Sequence, residues 1–219
     1  MIVVFLGAPG TGKGTQAKML TAEFNLIQVS TGEILRDEIK NSTELGKLAN
    51  GFLERGELVP NDIIINMIQN LVEKREDQKG LIFDGFPRTL QQAEAFDNLL
   101  KKISKSVDFV LYFQTSRESL IKRLISRRMC SKCGKDYNLI TNPAKNGNCD
   151  ICSGEIIQRD DDKEDVIVRR MDVYENQTAP LIDYYKKENK LIVIDCEREI
   201  SQIYNDIRPL FEKKAERIS

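Results

Sequence analysis

The stretch Ile2-Val3-Val4-Phe5-Leu6-Gly7-Ala8-Pro9-Gly10-Thr11-Gly12-Lys13-Gly14-Thr15 decides the fold. Its first five residues are all apolar and read as a strand covered on both faces, because a strand with one wet face would alternate. The glycines behind it permit positive φ and turn backbone N–H groups inward. A phosphate is then held by amide donors and by the positive end of the next helix. Gly7, Gly12 and Lys13 fit the phosphate-loop spacing, with Lys13 as a point charge on the outer phosphates. Gly10, Thr11, Gly12, Lys13, Gly14 and Thr15 are the expected contacts of a nucleotide's phosphates. One position departs from the general pattern: Gly14 stands where a Ser or Thr hydroxyl would bind Mg²⁺, and Thr15 comes one residue later. Mg²⁺ is therefore expected to sit through water and the nucleotide phosphates, with the Asp84 carboxylate available.

Outward from this loop, Leu26 to Val29, Leu81 to Phe83, Val107 to Phe113 and Leu191 to Ile194 repeat the nearly continuous apolar run. Helical periods fill the gaps: Lys13 to Phe24, Glu33 to Lys40, Leu45 to Arg55, Asn61 to Lys74, Thr89 to Lys101, Ser116 to Arg128, Glu164 to Lys187 and Ile200 to Ala215. Ser30 with Glu33 reads as a capping box, and Pro60-Asn61-Asp62 as a helix start. Strand alternating with helix predicts an α/β fold, a five-stranded parallel sheet with helices on both faces. From Met129 to about Arg159 the rhythm stops in favour of Gly, Asn, Lys and Cys, as in an insertion with its own small structure. The charge run Arg159 to Asp165 reads most simply as a solvated acidic first turn.

With 219 residues, 41% hydrophobic and 31% charged, the chain fits one domain, plain or carrying an insertion, and is too apolar for disorder. Lys plus Arg number 33 against 34 Asp plus Glu, so no global field draws it to nucleic acid or an anionic membrane. Met1 to Leu6 has no basic segment before it, and no run approaches the roughly 18 apolar residues of a spanning helix. A cytoplasmic protein is expected, with neither signal nor transit peptide. Histidine is absent, which excludes an imidazole base, a Ser-His-Asp triad and a His-ligated metal.

Cys130, Cys133, Cys149 and Cys152 form C-x2-C-x15-C-x2-C, the spacing of a tetrahedral four-thiolate zinc site. Four protein ligands leave no open position, so Zn²⁺ is expected to be structural and to hold a stretch too small for a core. Two disulfides, or thiols left reduced, are the competing readings. Cys196, after the fifth strand, reads as a small core residue.

The phosphate loop, Ser30-Thr31-Gly32-Glu33-Ile34-Leu35-Arg36, and Asp84-Gly85-Phe86-Pro87-Arg88 with Gln92 four residues on together resemble the adenylate kinase family across essentially the whole chain. The resemblance implies a phosphate-loop nucleoside monophosphate kinase fold. Its core would be 1–29, 61–127 and 161–219, its helical AMP-binding segment 30–60, and its lid, carrying the zinc site, 128–160. It implies transfer of the terminal phosphoryl group of ATP to AMP, giving two ADP, in nucleotide biosynthesis. AMP would meet Thr31, Arg36, Leu58, Val59, Gly85, Arg88 and Gln92, with Arg36 and Arg88 on its phosphate and Gln92 on its base. Arg123 and Arg127, read as sharing one helix face, would meet ATP; Arg159 and Arg170 would reach the phosphates as the lid closes. With Lys13 and Asp84 these arginines make the catalytic set, guanidinium groups being suited to bidentate phosphate binding. Phosphoryl transfer needs placement and charge neutralisation rather than a base.

A monomer without nucleic-acid or membrane partners is expected. Two rivals remain: a UMP/CMP kinase of the same fold, and an ATPase with a nucleic-acid-binding zinc module. The latter would use Lys122, Arg123, Arg127, Arg128, Lys132 and Lys135 around the first cysteine pair.

Overall fold

The computed structural model describes residues 1–73 and 80–216. Strand β1 (Ile2–Leu6) is buried along its whole length, and its side chains alternate between two cores, Ile2, Val4 and Leu6 into one and Val3 and Phe5 into the other. That is what the unbroken apolar run requires. Helix α1 (Lys13–Phe24) follows, then β2 (Ile27–Ser30), α2 (Thr31–Lys40), α3 (Glu44–Glu54) and α4 (Asn61–Glu73). After these come β3 (Leu81–Asp84), α5 (Leu90–Lys102), β4 (Phe109–Gln114) and α6 (Arg117–Ile125). A small unit holds β5 (Arg127–Cys130), β6 (Asp136–Asn138) and β7 (Ile156–Ile157). The chain closes with α7 (Glu164–Val173), α8 (Pro180–Lys187), β8 (Leu191–Asp195) and α9 (Ile200–Glu216).

The five predicted strands form one parallel sheet in the order β2-β3-β1-β4-β8. Because all run the same way, Gly7, Ser30, Asp84, Gln114 and Cys196 emerge at one edge, where open sheets place ligands. Register sets Ser30 beside Asp84, and Asp84 beside Phe5. Helices begin where short polar side chains cap them: Ser30, Thr43, Thr89 and Ser116 accept from the amides of Glu33, Gly46, Gln92 and Ser119.

Four expectations need correction. The helix predicted over Ser116 to Arg128 stops at Ile125, where the Ser126 hydroxyl donates to the Lys122 carbonyl at 2.7 Å, and Arg127 opens β5. Arg123 and Arg127 therefore share no helix face. The helix predicted from Glu164 to Lys187 is broken by a π-helical turn, Tyr174–Thr178. Pro180 has no N–H to continue an α-helical ladder, and the chain restarts there as α8. The charge run is only in part a solvated first turn: Glu164 and Asp165 are exposed at the start of α7, but Asp160–Asp162 form a separate 3-10 turn in which Asp162 is completely buried. The insertion is an antiparallel sheet, β6-β5-β7, that begins two residues before Met129. Lys74, the last residue of the helix predicted from Asn61, lies outside the described residues.

Candidate active site

One cavity of about 1410 Å³ runs along the C-terminal edge of the sheet. Every cleft residue expected from the sequence lines it: Gly10 to Thr15, Thr31, Arg36, Leu58, Val59, Asp84, Gly85, Arg88, Gln92, Arg123, Arg127, Arg159 and Arg170.

The phosphate loop has the backbone its glycines predict, with φ of 148° at Gly7, 89° at Gly10 and 93° at Gly12, the residue that caps α1. Lys13 Nζ donates to the carbonyls of Gly7 and Ala8, each at 2.8 Å, and to Thr11 Oγ1 at 3.2 Å. Burial pulls Lys13 down to about 8, with Asp84 opposing and Arg88 reinforcing the shift. Gly14 has a structural reason: a Cβ there would lie 3.3 Å from Asp84 Oδ2, the same oxygen that accepts from Gln28 Nε2 at 3.1 Å. The absent hydroxyl and the nearby carboxylate are thus one arrangement.

Across the cleft, Gly85 turns at φ 76° and its carbonyl accepts from Thr31 Oγ1 and Arg88 Nε, both at 2.8 Å. A Cβ at Gly85 would lie 2.8 Å from Arg88 Nη2 and push the guanidinium aside, and the positive φ of the turn favours glycine there in any case. The Arg88 backbone is clamped from both sides: its amide donates to Gln92 Oε1 at 2.8 Å and its carbonyl accepts from Thr178 Oγ1 at 2.8 Å. Gln92 Nε2 in turn donates to Asn61 Oδ1 at 2.8 Å. Burial lowers Arg88, Arg170 and Arg36, the last to about 10 with Arg159 as a further cause.

Carboxylates hold Arg127, Arg159 and Arg170, and a backbone carbonyl holds Arg123. Arg127 donates twice to Asp162, at 2.7 and 2.6 Å, a bidentate pair that more than offsets burial and raises the guanidinium. Arg170 donates to the Asp161 carbonyl at 2.6 Å and to Asp162 Oδ1 at 3.0 Å. Burial pushes Asp161 up, but Arg170, Arg127, Arg36 and Arg159 prevail and hold it low. Arg159 donates to Asp136, and Arg123 donates to the Cys196 carbonyl at 2.6 Å. Buried cations packed this closely, with some already depressed, form a receptor for a polyanion.

Asn61, Thr178, Asp136, Asp161 and Asp162 escaped the sequence reading, as did the segment Glu197 to Ile200 on the cavity wall. Asp162 pairs with a residue 35 positions away, a separation that leaves no local pattern. Asn61 was legible only as a helix start.

The four cysteines lie apart from the cleft, with their sulfurs all within 4.8 Å of one another. The closest, Cys130–Cys152 at 3.4 Å and Cys133–Cys149 at 3.5 Å, are far beyond a covalent S–S bond of about 2.05 Å. They approach the roughly 3.8 Å that tetrahedral Zn–S geometry demands. Tyr137 OH donates to Cys149 Sγ at 3.3 Å and, with nearby backbone amides, brings that thiol down to about 6. The donor set is compatible with zinc. Cys196 is buried in the core as expected, and no helix of the described residues is long and apolar enough to cross a membrane.

A phosphate loop on a parallel α/β sheet, facing several buried guanidinium groups across one cleft, defines a phosphate-loop protein built to hold phosphorylated ligands. The family model for adenylate kinase matches residues 5–190. Proteins named adenylate kinase from Methanocella arvoryzae (46% identical over 98% of this chain and 100% of that one) and Methanothrix thermoacetophila (47%, over 97% and 99%) are similar throughout. A third, from Thermosipho melanesiensis, is 45% identical over 94% of this chain and 97% of its own. The chain belongs to the adenylate kinase family and is a phosphotransferase. These relatives give no support to the UMP/CMP or nucleic-acid-binding alternatives.

Proposed function

We infer that this chain transfers the terminal phosphoryl group of ATP to AMP, reversibly and with two ADP as product, and that the cleft residues divide between two nucleotide sites. The observation that carries this reading is the single cavity joining the phosphate loop to the Arg36 and Arg88 side. The loop amides of Gly10 to Thr15 and Lys13 bind the donor phosphates, and Arg123 and Arg127 meet the same nucleotide. Arg36 and Arg88 hold the AMP phosphate, Thr31, Leu58, Val59 and Gly85 line its base pocket, and Gln92 reaches the base. Arg159 and Arg170 neutralise the transferring group.

The AMP oxygen attacks in line, and the chain has no histidine to act as base. Asp84, next to Gly14, is the carboxylate suited to water-mediated Mg²⁺, which supplies charge neutralisation at the phosphates when bound. Cys130, Cys133, Cys149 and Cys152 would hold a structural Zn²⁺. The proposed division is a core of 1–29, 61–127 and 161–219, an AMP-binding segment 30–60, and a lid 128–160 that closes to exclude water. A cytoplasmic monomer acting without nucleic acid or membrane completes the reading.

A coupled assay of ADP formation with AMP, CMP, UMP and GMP as acceptors, with and without Mg²⁺, tests it. AMP should be the fastest acceptor and transfer should require Mg²⁺; slow transfer to AMP overturns the assignment.

A further inference from the structure

Asp136 opens β6 in the proposed lid and lines the cleft with Arg159, Arg36 and Lys18, on a wall that also carries the carboxylates Asp84 and Asp161. A carboxylate there repels the ligand unless it is neutralised and put to use. Its two oxygens are divided: Oδ1 accepts from Arg159 Nη2, and Oδ2 accepts from Lys18 Nζ at 3.1 Å. Lys18 lies on α1, one turn beyond Gly14, and its ammonium also reaches Glu33 of α2 at 3.0 Å. One ammonium therefore joins the phosphate-loop helix, the AMP-binding segment and the lid.

Arg159 explains what the arrangement is for. Its side chain is only 10% exposed, and its buried Nε has no hydrogen-bond partner among the described residues. A guanidinium carries five N–H donors in a fixed plane, so anchoring one edge decides where the rest point. Arg36 faces the same region and is lowered partly by Arg159, which means two cations crowd each other there. Asp136 supplies the opposing charge, and Lys18 in turn keeps Asp136 ionised: burial pushes that carboxyl up, while Arg159 and Lys18 bring it below its ordinary range.

We propose that Asp136 is a positioning residue that aims Arg159 at the nucleotide phosphates and, through Lys18, fixes the lid against the phosphate-loop helix. This rests on the role given above to Arg159. Lys18, Glu33 and Asp136 are 46%, 42% and 38% exposed, so their pairs contribute little to folding and act chiefly through geometry.

The test uses the full chain with Asp136→Ala, Asp136→Asn, Lys18→Met, the Lys18→Met/Asp136→Ala double variant and Arg159→Ala. The probe is a bisubstrate ligand of two adenosines joined by five phosphates. D136A should weaken its binding and lower kcat/KM for ATP about tenfold, the scale of one charge-assisted hydrogen bond, while melting temperature and metal content stay at parental values. D136N, which keeps an acceptor but loses the charge, should fall between. K18M should cost less than D136A, and the double variant should be no weaker than D136A alone; a purely structural pair would show such coupling only together with a matching change in melting temperature.

Parental affinity in D136A, or a loss that merely follows melting temperature or metal content, overturns the proposal. If R159A loses transfer while D136A keeps it, the positioning role falls and the reading of the cleft stands. If R159A transfers at the parental rate, the role of Arg159 falls and the proposal with it.

Discussion

Around β1 the chain buries two apolar layers, and in one of them Phe83, Phe86 and Phe96 meet ring to ring with centroids 4.6 to 6.1 Å apart. Around β5 the buried set is Cys130, Tyr137 and Cys149, with Ala144, Cys152 and Ile156 packed against it. Ordering a residue costs about 1–2 kcal/mol of backbone entropy, and so few small side chains cannot offset that by burial. The core is therefore held by what it excludes from water, and on the proposed reading the unit around β5 is held by a metal on its four clustered sulfurs. Both present arginines to one cleft, so on the proposed reading phosphate would meet one wall set by packing and another set by the cysteine-bearing unit.

The largest expected effect lies on the metal side. Structural zinc in small domains contributes on the order of 10 kcal/mol of folding energy, and Cys133→Ala removes one of the four clustered thiols proposed to hold it. Metal content should drop below that of the parent and the lid should melt early, with a smaller loss of activity at low temperature. Equal zinc in parent and variant would refute the ligand set. The counterpart in the core is Phe96→Ala, which empties a site only 1% exposed and should cost about 3–5 kcal/mol in denaturant unfolding. Zinc content should be untouched, and a variant that lost both would break the separation between the two regions.

Arg88→Ala probes the wall set by packing. Arg88 is clamped through its amide by Gln92 and through its carbonyl by Thr178, and the Gly85 carbonyl that loses Arg88 Nε on truncation keeps its bond from Thr31 Oγ1, so the charge is removed while most of the turn's ties remain. The rate should fall about 10²- to 10³-fold, the scale of one lost electrostatic donor, with melting temperature nearly unchanged. A loss under tenfold would contradict its role.

What could be read beforehand follows from how locally each feature is encoded. The strands were legible because burial on both faces writes itself as an unbroken apolar run, and the phosphate loop because its glycines and Lys13 are neighbours in sequence. The cysteine cluster was legible because each pair is close in sequence, and the four sulfurs do come together. Asp136, Asp161 and Asp162 were not, since their partners come from other elements: the same letters describe a solvated acidic turn and a buried clamp on Arg127 and Arg170. The end of α6 was misplaced because Arg127 fits a helical period by residue type, and only pairing with Asn138 draws it into a strand. The break at Tyr174–Thr178 went unseen because an apolar period runs across it, although Pro180 marked the place.

A smaller effect separates the regions by titration. Lys13, with a pKa of about 8 against an ordinary 10.5, releases its proton in the folded state before the unfolded state does. Between those values the unfolded chain binds more protons, so this group makes stability rise with pH; below about 8 its buried charge carries the full cost. Bound phosphates favour the charged form. The kcat/KM profile for ATP, which reports the free enzyme, should therefore fall above pH about 8, while the kcat profile falls only at higher pH. Coincident midpoints would show that Lys13 does not face the phosphates.

The smallest effect tests the lid from its surface. Ile140 and Ile151 are each 71% exposed, more open than any other large hydrophobic side chain among the described residues. If burial held the lid together, these would be weak points in a failing core; if the sulfurs hold it, they are bystanders. Ile140→Ser should then change stability by less than about 0.5 kcal/mol, the range of ordinary surface substitutions, and leave zinc content at the parental level. The same exchange at Ile82, fully buried in β3, strips an apolar side chain from the core and leaves a hydroxyl to be satisfied there, and should cost several times more. Comparable losses at the two sites would mean that the lid depends on apolar contact after all, and the contrast between packed core and metal-held lid would have to be given up.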